Sequence, residues 1–229
     1  MLHKTAQRAQ RAAMRLVPDS VHLRIAHFFY SRPGGGEPEI HLVSQLVDRS
    51  REAVDIGANI GVYTYRLSRS ATRVHAFEPH PRLFRILAAS GLRNVVPHRV
   101  ALSSKAGRST FFIPRASFGE LAGWGSLVRG RCPSAIEEIP IEVETATLDS
   151  FQIANVSFMK IDVEGHEIPV LQGARETIAS SRPAILVESD PANRGGVDAL
   201  LGEHGYRART FLELFGRGGS DANLLYLPT

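Results

Sequence analysis

The chain has 229 residues, of which 43% are hydrophobic and 22% are charged, and it contains a single cysteine, Cys132. This length and composition suit one globular α/β domain with an N-terminal extension, and they exclude an intrachain disulfide framework. The formal net charge is +4, but residues 1–17 hold four bases and no acid, so the remaining 23 bases equal the 23 acids. Because the body of the chain is neutral, we expect no nucleic-acid partner, since such a partner usually requires a basic groove.

The N-terminal part of the chain predicts two helices before the core domain. Residues 3–16 are rich in alanine and arginine, and their bases recur at helical spacing as Lys4, Arg8, Arg11 and Arg15. This basic stripe is either a solvated helix face or a weak contact with an anionic membrane surface or an acidic partner. A second helix is expected over residues 21–30, and the break at Pro33-Gly34-Gly35-Gly36 then separates an extension, 1–37, from the domain, 38–229.

The expected location of the protein follows from what the sequence lacks. No apolar run reaches the length of a membrane span, and the N-terminus has no continuous apolar segment of the kind found in secretory signals. The single cysteine fits a reducing compartment. We therefore expect a cytoplasmic protein, and the sequence leaves its oligomeric state open.

From residue 52 onward, strand and helix patterns alternate. Strands are predicted at residues 52–56, 73–77, 95–102, 156–161 and 184–188, and helices at residues 40–47, 60–69, 81–90, 168–180 and 197–204. Two further β-type runs, 109–113 and 139–144, flank a long glycine-rich loop, and residues 206–214 and 223–227 are expected to close the sheet as a hairpin. Repeated βα units imply a mostly parallel, doubly wound sheet with helices on both faces.

A glycine turn and an acidic residue end the first two strands. The first strand runs into Asp55-Ile-Gly-Ala-Asn-Ile-Gly61, and the second ends on Glu78. Gly57 permits a tight turn against a ligand, and Glu78 can accept two hydrogen bonds from ribose hydroxyls. Taken singly, Asp55 could cap a turn and Glu78 a helix. A dinucleotide site would use Gly-x-Gly-x-x-Gly to hold a pyrophosphate, so this spacing favours a nucleoside without phosphates over NAD.

With these motifs, the chain resembles the FkbM family of class I S-adenosylmethionine-dependent methyltransferases. The resemblance rests on four sequence motifs and a short segment that follows the last of them. These are DIGANIG at 55–61, AFEPHP at 76–81, TLDSF at 147–151, FMKIDVEGHE at 158–167 and LQGA at 171–174. It covers residues from about 40 to 228. The resemblance implies a Rossmann-like, seven-stranded sheet, S-adenosyl-L-methionine as cofactor, and O-methylation of hydroxyls, often on sugars, glycolipids or polyketides.

The resemblance also implies which residues bind the cofactor. These are Asp55, Gly57, Asn59, Ile60, Gly61, Glu78, Ala101, Leu102, Ser103 and Asp162. Among them, Asn59 and Ile60 would lie along the methionine part. The run 101–103 would flank the adenine, and Asp162, at the end of the fourth strand, would face the reacting methyl group.

Methyl transfer to a hydroxyl also needs a group that removes the proton. The candidate catalytic residues are Lys160, Asp162, Glu164, His166 and Glu188. Alternate strand positions place Lys160 and Asp162 on one side, where Lys160 could pair with Asp162 or Glu188 and keep them ionised. His166 has the natural pKa of a base near neutrality. The structural alternatives are a polar first-turn residue for His166 and a helix N-terminal carboxylate for Glu164.

Two further features complete the candidate site. Asp162, Glu164 and Glu188 offer oxygen atoms to a divalent cation, but their spacing is not that of a metal site, and no metal is predicted. In the long loop 117–134, Trp124 could stack on a sugar ring as a substrate-binding residue, with two nearby arginines for an anionic group. The alternative for this segment is a surface loop anchored by its tryptophan.

These motifs predict an S-adenosylmethionine-dependent O-methyltransferase that acts on a sugar hydroxyl of a glycolipid, polysaccharide or glycosylated metabolite. One alternative is a catalytically inactive cofactor-binding or scaffold protein of the same fold, which the intact string at 160–167 argues against. Another is a nucleic-acid methyltransferase. The neutral body and the absence of Asn/Asp-Pro-Pro-Tyr/Phe after the fourth strand argue against that alternative.

Overall fold

The computed structural model of the chain describes residues 18–30, 37–189, 191–216, 219 and 223–229. The predicted helix over residues 3–16 and the glycine break at 33–36 lie outside the described residues. Within the described part of the chain, no helix combines the length and the apolar character needed to cross a bilayer.

The described residues form eleven strands in two sheets. In chain order they are β1 (Glu52–Ile56), β2 (Val74–Phe77), β3 (Val95–His98), β4 (Ala101–Leu102), β5 (Gly107–Ala116), β6 (Gly119–Glu120), β7 (Glu137–Ala146), β8 (Val156–Ile161), β9 (Ala184–Glu188), β10 (Tyr206–Arg209) and β11 (Asn223–Pro228). The large sheet has the order β10-β11-β9-β8-β1-β2-β3. Only β11 runs against its neighbours, so the predicted mostly parallel sheet with an antiparallel C-terminal pair is confirmed.

Helices cover both faces of the large sheet. They are α1 (Asp19–Tyr30), α2 (Val62–Ser68), α3 (Pro81–Ala88), α4 (Glu167–Gln172), α5 (Arg175–Ser181), α6 (Pro191–Glu203) and α7 (Phe211–Phe215). Alternate residues of β8 face opposite sides: Met159 packs in the cluster that includes α4, α5 and α6 residues, and Phe158 packs in the cluster with Leu67 and Phe211. Burial on both faces explains why the central strands read as continuous apolar runs.

The predicted helix over residues 40–47 is wrong. The segment forms two 3₁₀ turns, Pro38–His41 and Val43–Gln45, in which Leu42 N donates to Glu39 O and Leu46 N donates to Val43 O. These i→i+3 hydrogen bonds wind the backbone more tightly than an α-helix does. The apolar side chains of the segment pack in the same core cluster as Phe158.

The predicted helix over residues 168–180 is two helices, α4 and α5. Gly173 lies between them, and a Cβ added there would come 2.1 Å from Ser103 O. The backbone of Ser103, directly after β4, approaches the chain between the two helices, and this close approach requires a glycine.

The C-terminal strand predicted over residues 206–214 ends at Arg209. Thr210 then starts α7 with a capping box, in which Thr210 Oγ1 accepts from Glu213 N at 3.2 Å and Glu213 Oε2 accepts from Thr210 N at 2.8 Å. The Thr-x-x-Glu spacing was present in the sequence and is the usual signal for a helix start.

The predicted strand over residues 95–102 divides between the two sheets. β3 pairs with β2 up to His98, whereas β4 pairs with β7 in a second sheet of order β4-β7-β5-β6. The two predicted β-type runs are confirmed as the centres of the antiparallel pair β5–β7. This second sheet was not predicted, and it carries the loop 117–134, which returns to β5 through mutual Phe112–Ser126 backbone bonds.

Candidate active site

The glycine turn after β1 has no room for a side chain at Gly57 or Gly61. Gly57 has φ 77°, and a Cβ added there would lie 1.7 Å from Asp162 O. Gly61 has φ 93°, and its added Cβ would lie 2.7 Å from Leu87 Cδ1. Asn59 also has a positive φ, 54°, and its Oδ1 accepts from Ile60 N at 2.8 Å. The turn therefore packs closely against the residue that follows β8.

The carboxyl ends of β1, β2 and β8 open onto a first cleft with an empty volume of about 570 Å³. Its polar end contains Asp162, Glu164 and His166, and its wall includes Ala101 and Leu102. The apolar part of the wall is completed by Ile56, Phe77, Leu83, Val100, Phe111 and Leu127. A flat apolar ring with a polar attachment would suit this combination of surfaces.

Glu78 lies in the wall of the first cleft with only 4% of its surface exposed. Its Oε2 accepts from Asn59 N at 2.7 Å, and its Oε1 accepts from His80 N at 2.8 Å. Burial raises the pKa of this carboxyl to about 7. Glu78 does not cap α3, because His80 Nδ1 accepts from Arg82 N in that position. Each carboxylate oxygen can still accept a further hydrogen bond from a ligand hydroxyl.

A second pocket of about 560 Å³ adjoins the first cleft. It is lined by Tyr30, Glu37, Ile40, Asp55, Gly57, Ala58, Asn59, Ile60, Val62, Tyr63, Lys160 and Asp162. Gly57, Asn59 and Asp162 line both spaces, so they mark the junction between them. A molecule with an apolar ring at one end and charged groups at the other could extend across this junction.

Asp55 belongs to the second pocket rather than to the first cleft. Its Oδ2 accepts from Thr64 Oγ1 at 2.5 Å, which ties the end of β1 to α2. Burial raises the pKa of Asp55 to about 6, since the Thr64 bond and the charge of Lys160 offset only part of the desolvation. A carboxylate held this way attracts a cationic ligand group.

Lys160 is buried at the centre of the acidic residues, with 1% of its surface exposed. Its Nζ lies 3.6 Å from Asp162 Oδ2 and 3.5 Å from Glu188 Oε2, so the predicted pairing occurs with both carboxylates. Burial lowers the pKa of Lys160, but the charges of Asp162 and Glu188 outweigh that effect and raise it above its ordinary value. Burial, with Asp162 next, raises the pKa of Glu188 to about 7.

The turn after β8 places Glu164 and His166 at the first cleft. Glu164 has φ 50°, and burial raises the pKa of its carboxyl to about 8. It is not the carboxylate of the helix N-terminus, because Glu167 Oε1 accepts from Gly165 N at 2.7 Å. His166 Nε2 lies 2.9 Å from Ser103 Oγ, and burial lowers the pKa of the imidazole. Ser103 therefore does not line the cleft itself, but it contacts His166, which does.

The loop 117–134 covers part of the first cleft with its small residues. A Cβ added at Gly123 would lie 3.0 Å from Asn59 Nδ2, so the loop passes directly over the glycine turn. Trp124 is 45% exposed and is not among the lining residues, although its neighbours are. Arg129 pairs with Glu138 at 3.3 Å and faces the Phe112 ring.

Two other loop residues lie closer to the site. Arg131 lies against the turn after β8, where a Cβ added at Gly165 would come 2.7 Å from its Nε. Cys132 is buried, with its Sγ 3.4 Å from Ser134 Oγ.

The structure thus brings the predicted residues of β1, β2, β4 and β8 to one edge of the large sheet, with Glu188 next to them. The sequence reasoning missed Glu37, Tyr63 and Thr64. Tyr63 Oη donates to Glu37 Oε2 at 2.5 Å across the second pocket. The signal for Tyr63 and Thr64 was their position in the first turn after Gly61, whereas Glu37 had been placed at the end of the extension.

Comparisons with known proteins agree with this geometry. A profile described as "Methyltransferase FkbM domain" matches residues 55–208, which is more than half of the chain. This chain belongs to the FkbM methyltransferase family. The matched region begins at Asp55 and includes Glu78, Asp162 and Glu188, so both the cleft and the acidic residues around Lys160 lie within the FkbM domain.

Two curated relatives are 30% identical to this FkbM-family chain. Hexuronic acid methyltransferase AglP of Haloferax volcanii matches over 175 residues, 74% of this chain and 69% of that protein. The 31-O-demethyl-FK506 methyltransferase FkbM of Streptomyces tacrolimicus matches over 184 residues, 66% of this chain and 71% of that protein. The chain is accordingly a methyltransferase by family.

Solved structures share the fold at lower identity. Methyltransferase FkbM from Methylobacillus flagellatus KT has a TM-score of 0.52 and 18% identity, and the match covers 98% of this chain and 59% of that one. A Streptococcus mutans structure in complex with SAH has a TM-score of 0.50 and 10% identity, covering 83% of this chain and 96% of that one. The present chain thus spans somewhat more than half of the Methylobacillus chain.

Proposed function

We propose that this FkbM-family methyltransferase transfers a methyl group from S-adenosyl-L-methionine to a hydroxyl of a sugar-containing acceptor. The observation that carries the proposal is that Glu78 and Asp162 line one cleft, with Asp162 at its junction with the charged second pocket. A donor held by its ribose at Glu78 would thereby extend toward Asp162.

The residues present fit this cofactor. Glu78 offers one lone pair on each oxygen to ribose hydroxyls, and Ala101 and Leu102 form an apolar wall for the adenine. Gly57 leaves backbone surface where a Cβ would collide with β8. The acidic second pocket suits the ammonium group of an amino-acid end.

When bound, the cofactor supplies a methyl group on a cationic sulfur, which leaves as a neutral thioether while the acceptor oxygen gains the methyl group and loses its proton. The protein aligns the acceptor, excludes water and accepts that proton. We assign the proton to the Asp162 carboxylate, since Asp162 lies at the junction, whereas His166 lines only the first cleft. The surrounding carboxylates favour a cationic donor over an anionic one.

The acceptor class rests on the family and on Trp124. One curated relative is a hexuronic acid methyltransferase, and the other is a 31-O-demethyl-FK506 methyltransferase, in which 31-O denotes an oxygen atom. Trp124 is exposed, and Gly123 and Gly125 on either side of it line the cleft, so its ring is a candidate surface on which a sugar could stack.

Calorimetric titration tests the donor, with NAD as the negative comparison. Binding of S-adenosylmethionine and its demethylated product, with no binding of NAD, is expected. Labelled donor incubated with a panel of glycosides and polyketides then tests the acceptor, and mass spectrometry of the product identifies an O-methyl group. Donor binding without product on any acceptor would support the inactive scaffold instead.

Two variants test the proton acceptor. Asp162→Asn should lower kcat by on the order of 10²-fold or more while donor affinity changes little, because the amide cannot take the proton. His166→Gln should have a much smaller effect. If His166→Gln lowers kcat as much as Asp162→Asn, the assignment of Asp162 is wrong.

A further inference from the structure

A single buried ammonium group is shared by two carboxylates in this site. Lys160 Nζ lies 3.5 Å from Glu188 Oε2 and 3.6 Å from Asp162 Oδ2, and it has no hydrogen-bond partner among the described residues. Both distances are longer than the usual length of a charge-assisted hydrogen bond. The ammonium is therefore held between the two carboxylates without being committed to either.

Lys160 is enclosed by an aromatic ring and by the neighbouring strands. The Tyr63 ring lies beneath it, with Nζ 5.1 Å from the ring centroid, and the strands β1 and β9 flank β8. The side chains of Asp162 and Glu188 are 31% and 35% exposed. Both can therefore exchange protons with a ligand or with water, whereas Lys160 cannot.

We propose that Glu188 is a positioning residue that shares the Lys160 ammonium with Asp162, so that protonation of Glu188 commits the ammonium to Asp162 and weakens Asp162 as the acceptor of the hydroxyl proton. The inference rests on the proposed function. It assigns Asp162 as the catalytic residue, and it assigns Lys160 and Glu188 to the control of its charge.

The charged groups around Glu188 support this coupling. Lys160 and Asp162 face it from β8 and its end, Glu37 faces it from the segment before the first 3₁₀ turn, and Glu164 lies beyond Asp162. Asp55 on β1 and Tyr63 on α2 line the second pocket together with Lys160 and Asp162. Desolvation is the largest influence and raises the pKa of Glu188, Asp162 raises it further, and Lys160 lowers it, giving about 7.

The sign of the pH effect follows. Above about pH 7, Glu188 is ionised and competes for the ammonium, so Asp162 retains more of its own negative charge for the hydroxyl proton. Below that pH, Glu188 is neutral and Asp162 alone is neutralised by Lys160. The rate of methyl transfer should therefore rise as the pH increases through the titration of Glu188.

The first test needs neither donor nor acceptor. The carboxyl carbon of Glu188, labelled with ¹³C and assigned from its disappearance in Glu188→Gln, is titrated by NMR in the unloaded protein. Asp162→Asn should lower the pKa of Glu188, and Lys160→Met should raise it, by about one unit each. The exposed Glu203, which pairs with Arg175 at 3.5 Å, provides the matched control variant Glu203→Gln. The Glu203→Gln change should not alter the pKa of Glu188.

The second test is the pH profile of kcat with saturating donor and acceptor. Glu188→Gln should lower kcat about 3- to 10-fold at alkaline pH and flatten the profile near neutrality, because the amide imitates protonated Glu188 at every pH. Glu203→Gln should leave both kcat and the shape of the profile unchanged. A purely structural role for Glu188 would lower kcat by the same factor at every pH.

Two results would overturn the inference: a pKa of Glu188 that changes in neither Asp162→Asn nor Lys160→Met, or a pH profile of kcat that has the same shape in Glu188→Gln as in the wild type. If Lys160→Met does not fold, Asp162→Asn alone decides the titration test, since it changes neither length nor packing. If the wild-type chain methylates no acceptor, the proposed function fails, and the titration then decides the coupling by itself.

Discussion

The two ends of the parallel strands are built in opposite ways. At the amino ends, Arg51 Nη2 donates to Val156 O and Ser181 O at 2.6 Å, and its Nε donates to Asn155 Oδ1 at 2.8 Å. At the carboxyl ends, Asp55, Glu78 and Glu188 are buried or half-buried carboxylates with raised pKa values. One end closes the sheet with satisfied polar groups, whereas the other keeps charge where burial disfavours it.

This difference locates the functional end of the sheet without reference to any relative. Buried carboxylates that share one ammonium cost stability, and a sequence selected for folding alone would replace them with apolar residues. The unneutralised charge therefore marks the surface where a cationic ligand would recover the cost.

The largest expected effect comes from filling the gap in the glycine turn. Gly57→Ala should abolish donor binding and destabilise the fold by roughly 3 kcal/mol or more, because the methyl group meets Asp162 O in addition to the unfavourable φ. Gly91→Ala is the matched control, since Gly91 has φ 69° and nothing within 4 Å of an added Cβ. It should cost about 1 kcal/mol and leave binding intact.

Chemical denaturation and calorimetry measure both variants. Equal destabilisation by Gly57→Ala and Gly91→Ala would show that only the backbone conformation matters at Gly57, and not the approach of β8. That outcome would weaken the contrast between the two ends of the sheet, because the carboxyl end would then be no more tightly constrained than a surface turn.

The sequence alone predicted the central strands of the large sheet and the turn residues at their carboxyl ends. The strands 52–56, 156–161 and 184–188 coincide with β1, β8 and β9, because strands buried on both faces leave unambiguous apolar runs. The turn residues also carry their own signals, since glycine at 57 and an acid at 78 have local reasons for their positions. The contact of Lys160 with both Asp162 and Glu188 was expected only as one pairing or the other.

The rest depended on contacts between distant segments. Residues 101–102 leave the large sheet because they pair with Thr145 and Ala146, and nothing local in the sequence distinguishes them from the end of β3. Glu37 and Tyr63 are 26 positions apart, yet they meet across the second pocket. Such pairings depend on tertiary context, which propensity and periodicity do not encode.

A smaller effect should follow from neutralising Glu78. Glu78→Gln should weaken donor binding by roughly 10- to 100-fold, because a charged acceptor for two ribose hydroxyls becomes a neutral amide. The stability of unliganded Glu78→Gln relative to the wild type should nevertheless rise with pH. The folded-state pKa of about 7 exceeds the ordinary 4.5, so the stability associated with protonated Glu78 is lost as the pH rises through that interval.

Thermal and denaturant unfolding at two pH values check the Glu78 prediction. Between about pH 4.5 and about pH 8, the stability of Glu78→Gln relative to the wild type should rise by roughly 1–3 kcal/mol. The amide nitrogen cannot accept from Asn59 N or His80 N, which lowers the stability of the variant by a similar amount at both pH values. The exposed Glu142, which pairs with Arg108, supplies the control variant Glu142→Gln, expected to change stability by less than about 0.5 kcal/mol. A stability difference between Glu78→Gln and the wild type that is the same at both pH values would contradict the claim that this end of the sheet sacrifices stability for binding.

The amino end should respond in the opposite sense and more weakly. Arg51→Met keeps the apolar stem but removes the donors to Val156 O, Ser181 O and Asn155 Oδ1, so it should cost about 1–3 kcal/mol of unfolding free energy. Donor affinity and kcat should stay within about two-fold of the wild-type values, because the intervening strands are buried and closely packed. Unfolding titrations and calorimetry on the same preparation separate the two readouts. If Arg51→Met lost donor affinity without losing stability, changes at the amino end would affect donor binding in the cleft. The two ends could then no longer be treated as independent.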